Sequence, residues 1–130
     1  MPFTRISLHA GKSPDYVHAL SNSLHQALVE AFEVPPDDRF QAIHQHAPGE
    51  LVFDTHYNGG PRSADWVLFD IRAGRPRRTE VKREFYRRLV ELLGQSPGLA
   101  PADVMVVITT TEREDWSFAD GQMHLIPGGQ

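Results

Sequence analysis

The chain has no cysteine among its 130 residues, which excludes a disulfide framework, a thiol nucleophile and a thiolate metal site. It has no apolar run near ~18 residues, the length a membrane-spanning helix needs. Its first residues, Met1-Pro2-Phe3-Thr4-Arg5, lack the basic stretch and apolar block of a secretory signal. It has no excess of positive charge. Thirteen Lys and Arg against 17 Asp and Glu give a net charge of −4, which argues against a general polyanion binder. These absences lead us to expect a cytoplasmic protein with neither membrane nor nucleic acid as partner. What is present suits a globular chain. Hydrophobic residues make up 40%, and 10 glycines bring the apolar share close to the usual ~45–50%. The length fits one domain over residues 1–130, and a chain of this size buries about two-thirds of its unfolded surface.

The pattern reads as two similar halves, about 1–60 and 61–120. Phe3 to Leu8 alternates as a strand does. Ser13 is a good N-cap and Pro14 suits the first helical position. Val17, Leu20, Leu24, Ala27, Leu28 and Ala31 then recur at helical spacing, and Pro35-Pro36 stops the run. Phe40 to His46 reads as a strand, Pro48-Gly49 as a turn, and Leu51-Val52-Phe53 as a short strand or hairpin. After a loop through Asn58-Gly59-Gly60-Pro61, Trp66 to Ile71 is a strand, and Thr79 caps a helix bearing Val81, Phe85, Leu89, Leu92 and Leu93. Val104 to Ile108 is a near-continuous apolar strand of the buried parallel type, and the Gly-rich tail beyond Phe118 is irregular. The expected fold class is α+β. Two consecutive β-α-β units form a four-stranded mixed sheet with both helices on one face, because crossovers are right-handed. The other face then lacks a cover, and exposed apolar sheet surface is usually buried against a partner, so we expect a homo-oligomer.

Several residues carry chemistry. If Met1 is removed, Pro2 becomes a secondary amine held by a strand that begins at once. An α-amino group titrates near ~7.7–8.0, so it serves as acid or base around neutrality. The bland alternative is that Met-Pro is a common start without a role. Arg75-Pro76-Arg77-Arg78 follows the Trp66–Ile71 strand, at the end of a sheet where ligands tend to sit. Arg75 and Arg77, two apart around a rigid proline, would converge on one carboxylate, which the planar guanidinium fork suits. The alternative is a solvated basic surface ahead of a helix. Eight of the 13 cationic residues lie between Arg72 and Arg88, so a nucleic-acid patch is the competing idea, weakened by the acidic whole and by Glu80 and Glu84 at helical spacing. Asp37-Asp38 precedes the second strand, where a carboxylate would raise the pKa of a nearby amine or activate water; an acidic turn is the plain reading. His44 and His46 share a strand face and, with His56, would make a three-nitrogen metal site, yet no Asp or Glu stands at a matching spacing, so no metal is assigned. Trp116 and Phe118 would wall a pocket or simply anchor the core.

Taken together, these motifs resemble the tautomerase superfamily, the proteins of 4-oxalocrotonate tautomerase and macrophage migration inhibitory factor type, built from β-α-β units with an amino-terminal proline. The resemblance covers nearly the whole chain and leans toward the malonate semialdehyde decarboxylases. It rests on Pro2, on Val34-Pro35-Pro36-Asp37-Asp38-Arg39-Phe40-Gln41, on Arg75-Pro76-Arg77 and on Asp115-Trp116-Ser117-Phe118, in that order, with Gln45 to Glu50 also similar. The Tyr57–Pro61 loop departs from the usual pattern, and the Ile71–Arg75 connection is one residue longer. The resemblance implies catalytic Pro2, Asp38, Arg75 and Arg77, an apolar wall of Trp116 and Phe118, no cofactor, a small keto or semialdehyde carboxylic acid as substrate, and a homotrimer. Decarboxylation is the implied reaction, with hydration as a related one. Keto-enol tautomerisation and a non-catalytic ligand-binding oligomer of the same fold stay open as alternatives.

Overall fold

The computed structural model describes residues 1–128; the last two residues of the expected irregular tail lie outside the described residues. Strand β1 (Pro2–His9) leads into α1 (Pro14–Ala31) and β2 (Gln41–His46), and β3 (Val67–Ala73) into α2 (Thr79–Gln95) and β4 (Val104–Thr110). The sheet order is β2-β1-β3-β4. Each unit pairs its own two strands in parallel, and β1 and β3 meet antiparallel at the centre. Both parallel pairs are offset by 37 positions, Thr4 with Gln41 and Val67 with Val104. An equal offset across two separately written segments is the mark of duplicated architecture.

The local chemistry accounts for the helix ends. Ser13 Oγ accepts from Tyr16 N at 3.1 Å, and Pro14 follows it where a missing N–H costs nothing. At the other end Glu33 turns the chain through the left-handed region at φ 58°, and Pro35-Pro36 bars any continuation. The α2 cap departs from the sequence reading. Arg78 takes the N-cap position without a side-chain hydrogen bond, and Thr79 is the first helical residue. Leu20, Leu24 and Leu28 of α1 and Phe85, Leu89 and Leu93 of α2 pack on Ile6, Leu8, Val67, Phe69 and Ile71 of the sheet. Phe32 and Phe85 close the seam between the helices with ring centres 4.9 Å apart.

The second sheet face has no helix on it. Alternation along the strands places Arg5, Ser7, His44, Leu68, Asp70, Arg72, Met105 and Val107 there. This corrects the reading of β4 as a strand buried on both faces: Met105 and Val107 are 42% and 43% exposed. β4 is an edge strand covered on its helix side only. Leu51-Val52-Phe53 forms no strand either; Val52 is exposed, while Phe53 stacks on Trp66 at 4.5 Å. Among the described residues, no helix is long and apolar enough to cross a membrane.

Candidate active site

The antiparallel β1–β3 pairing sets Pro2 opposite Ala73, so the head of the chain lies beside the connection that leaves β3. Gly74 N donates to the Met1 carbonyl at 3.1 Å. Because β2 runs parallel to β1, the α1–β2 connection returns to the same end of the sheet. It brings Asp38, whose Oδ2 forms an ion pair with the Met1 ammonium. A turn closed by Asp38 N on the Pro35 carbonyl at 3.1 Å presents this carboxylate. Parallel β4 ends beside β3, and the segment after it folds back across the same place. Thr111 donates from both N and Oγ1 to the Ala73 carbonyl, at 2.9 and 3.1 Å. Thr111 Oγ1 in turn accepts from Trp116 Nε1 at 2.6 Å.

The two aromatics of the Asp115–Phe118 motif stack on one another. Trp116 and Phe118 lie 5.7 Å apart, and Phe118 stands 5.7 Å from Phe40, just beyond Asp38. Gly74 allows the close approach. A Cβ there would come within 3.3 Å of both Met1 Cβ and Trp116 Nε1. Beside these groups an open cleft of about 980 Å³ is bounded by Gly74, Arg75, Pro76, Thr111 and Ile126, among others.

Arg75 lines this cleft and Arg77 is buried behind it, so the two do not converge. Arg77 is 7% exposed, and its guanidinium lies 4.4 Å over the Phe32 ring. Its Nε donates to the Phe32 carbonyl at 3.2 Å and its Nη1 to the Arg75 carbonyl at 2.9 Å, which leaves Nη2. Burial, and then the Arg75 charge, pull Arg77 below its ordinary value, while Glu33 and Asp38 act in the other direction. Arg75 Nη1 pairs with Glu33 Oε1 at 3.1 Å. Sequence reasoning passed over Glu33, Gly74 and Thr111. A glycine next to Arg-Pro-Arg was the one signal available, since only a close approach or a special backbone calls for it.

The remaining candidates lie elsewhere. His44 and His46 are on the helix-free face with rings 6.5 Å apart, Arg5 Nη1 donates to His44 Nε2 at 3.0 Å, and His56 is exposed in the long loop. In the basic run, Arg87 pairs with Glu84 and Glu91, and Arg88 with Glu30 and Glu91, so carboxylates take half the cations of α2.

Two tautomerase families, each described as "Tautomerase enzyme", match residues 38–119 and residues 2–59. The chain belongs to the tautomerase superfamily. A relative of similar length is the probable tautomerase YusQ of Bacillus subtilis (strain 168), 32% identical over 97% of this chain and 99% of that one. Among solved structures, this superfamily member is similar to a malonate semialdehyde decarboxylase at TM-score 0.89 and 35% identity, covering 95% of each chain. A second malonate semialdehyde decarboxylase, inhibited by 3-bromopropiolate, matches at TM-score 0.87 and 30% identity over 94% of this chain and 92% of that one. A fused 4-oxalocrotonate tautomerase described as a symmetric trimer shares the fold, at TM-score 0.74 and 21% identity over 92% and 93% of the two chains.

Proposed function

We propose that this chain is a cofactor-independent decarboxylase of small 3-oxo acids, of the malonate semialdehyde type, working through Pro2 once Met1 is removed. The observation that carries this reading is the placement of the amino terminus against Asp38, with Arg75-Pro76-Arg77 and the Trp116 wall at the same spot. A 3-oxo acid loses carbon dioxide when its carbonyl accepts the electrons of the breaking C–C bond. The cationic Pro2 amine donates a hydrogen bond to that carbonyl oxygen and stabilises the enolate that forms. Asp38, a negative charge beside the amine, favours its cationic form. Arg75 and the free Nη2 edge of Arg77 hold the carboxylate until it departs. The indole wall favours loss of the carboxylate's charge. The enolate then takes a proton at carbon, which gives the aldehyde.

The helix-free sheet face, with Met105, Val107 and Leu68 on it, is where copies of the chain pack as a homotrimer in this reading. A single trimeric species by light scattering at micromolar concentration is the expected result.

The relatives named as probable tautomerases favour a second reading. There a neutral Pro2 takes a proton from carbon, and an arginine steadies the dienolate. The two readings part at the protonation state of Pro2. The deciding experiment is a pH-rate profile on malonate semialdehyde and on phenylpyruvate enol, using chain whose mass shows Met1 removed. Decarboxylation that needs the protonated amine supports the first reading. Faster enol-keto conversion that needs the neutral amine replaces it with the second.

A further inference from the structure

Asp38 is held from behind by a residue outside the motifs. His25 lies on α1 and is 7% exposed. Its Nε2 is 2.8 Å from the carbonyl oxygen of Pro36, two residues before Asp38. A carbonyl only accepts, so Nε2 is the donor in this contact. Nδ1 is buried without a partner among the described residues. The imidazole thus makes one hydrogen bond, and that bond goes to the turn that presents Asp38. A buried polar group with an orphaned nitrogen costs stability relative to leucine. Its neighbours Leu24 and Leu28 show what the core itself asks for.

The rest of the connection shows why the fastening matters. Arg77 holds the Phe32 carbonyl, Arg75 pairs with Glu33, and Val34 N donates to the Leu28 carbonyl. Beyond the site, Arg39 Nη1 donates to Asn22 Oδ1 at 2.7 Å. Between these anchors, Pro35 and Pro36 have no N–H to donate, so their segment is fastened through its carbonyls. The Pro35 carbonyl closes the local turn by accepting from Asp38 N, and the Pro36 carbonyl meets His25.

Resting on the functional reading above, we propose that His25 is a positioning residue for Asp38: its Nε2–H on the Pro36 carbonyl sets the turn that aims the carboxylate at the amino-terminal amine. It touches neither amine nor substrate. Because Asp38 acts on the amine while the arginines hold the carboxylate, His25 acts on kcat and leaves KM nearly alone.

The test is a double-mutant cycle on malonate semialdehyde with His25→Leu, His25→Gln and Asp38→Asn, together with amide hydrogen exchange at Asp38 in the full chain. His25→Leu is expected to lower kcat about tenfold and to speed exchange of the Asp38 amide by a similar factor, the scale of one lost buried hydrogen bond. His25→Gln, whose amide N–H reaches for the same carbonyl, restores most of both. In the Asp38→Asn background His25→Leu has no further effect on kcat, since the two act as a unit. An equal loss in both backgrounds, an unchanged Asp38 exchange rate, or a rise in KM without a fall in kcat overturns the proposal. If His25→Leu does not fold, His25→Asn, too short to reach Pro36, takes its place. If the wild-type chain leaves malonate semialdehyde untouched, or Asp38→Asn costs nothing, the functional reading fails, while Asp38 exchange still decides the role of His25.

Discussion

Asp38 and Asp103 hold matching places in the two β-α-β units. Each stands just ahead of the strand that closes its unit, and each faces a nitrogen in the stretch leading into the strand that opens it. Asp38 meets the Met1 ammonium. Asp103 accepts from Ser63 N and from Ser63 Oγ, both at 2.6 Å, and is 3% exposed. The nitrogen is a chain terminus in the first unit and an internal amide in the second. In the proposed reading the amine freed at the first end supplies an acid-base group, which an internal amide at the second end does not. The connections differ in the same sense. Two arginines follow β3, Arg75 at an open cleft and paired with Glu33 and Arg77 buried, whereas a single Lys12, paired with Asp65, follows β1. At the opposite end of the sheet, Trp66 is buried beneath the Phe53 stacked on it. The fold repeats, but the chemistry does not repeat with it.

The largest test of this asymmetry is Pro2→Ala. It replaces the strand-held ring amine by a freer primary amine and should lower turnover of malonate semialdehyde by at least ~100-fold, the scale of acid-base catalysis, with the melting temperature unchanged. Near-wild-type kinetics in a processed variant would mean that the rigid secondary amine of proline is not required, since alanine supplies only a primary one. Next come the arginines. Arg75→Ala and Arg77→Ala should each cost roughly tenfold to over a hundredfold in kcat/KM, because a hydrogen bond to a charged group is worth about 1.5–3 kcal/mol. Urea denaturation should separate them. Arg77→Ala also destabilises by about 2 kcal/mol, since it strips donors from two carbonyls in a buried setting, while Arg75→Ala does not. Arg75→Lys should recover activity only in part, for an ammonium lacks the planar fork.

The two aspartates should then behave as opposites. Asp103→Ala is expected to cost about 1–3 kcal/mol of stability by leaving Ser63 groups unpaired, with kcat/KM intact. Asp38→Asn should lower kcat with little change in urea midpoint. Equal stability losses at both would make Asp38 a structural residue like its counterpart. A smaller effect is expected at Lys12. Asp65 raises the Lys12 pKa above its ordinary 10.5, chiefly through their hydrogen bond. The pair's contribution is therefore present at neutral pH and is lost as pH climbs through that raised value. Exposed pairs give at most about 0.5 kcal/mol here, so Lys12→Ala should shift the urea midpoint barely and only at low salt. Arg78, whose side chain is 83% exposed, should be neutral to alanine replacement. If Arg78→Ala hurts as much as Arg75→Ala, the basic segment acts as a general field.

Periodicity made both helices and all four strands legible, because leucine spacing and strand alternation record which side meets the core. It did not show that β4 is an edge. Val104 to Ile108 is apolar on both sides, and only the order β2-β1-β3-β4 decides which residues stay uncovered. Leu51-Val52-Phe53 misled for a related reason: Phe53 is apolar to stack on Trp66, not to alternate in a strand. In the site, Asp38, Arg75, Arg77, Trp116 and Phe118 were visible as motifs. Glu33 and His25 were not, since their contacts with Arg75 and Pro36 arise from the fold of the Phe32–Phe40 connection and not from any local spacing. Nor could sequence show that Arg77 spends two of its nitrogens on main-chain carbonyls.

The crowding at Gly74 has a consequence for maturation. The Met1 side chain lies against Gly74, where a Cβ would come within 3.3 Å of it and of the indole nitrogen. Removing the initiator would therefore do two things in one cut. It would turn an amide into an amine, and it would vacate a methionine-sized space beside Trp116. In the proposed reading the nascent chain is a precursor plugged by its own first residue, and aminopeptidase processing is its activation step. Preparations with mixed amino termini should show specific activity in proportion to the processed fraction measured by mass, and a chain extended ahead of Pro2 should be inactive although folded.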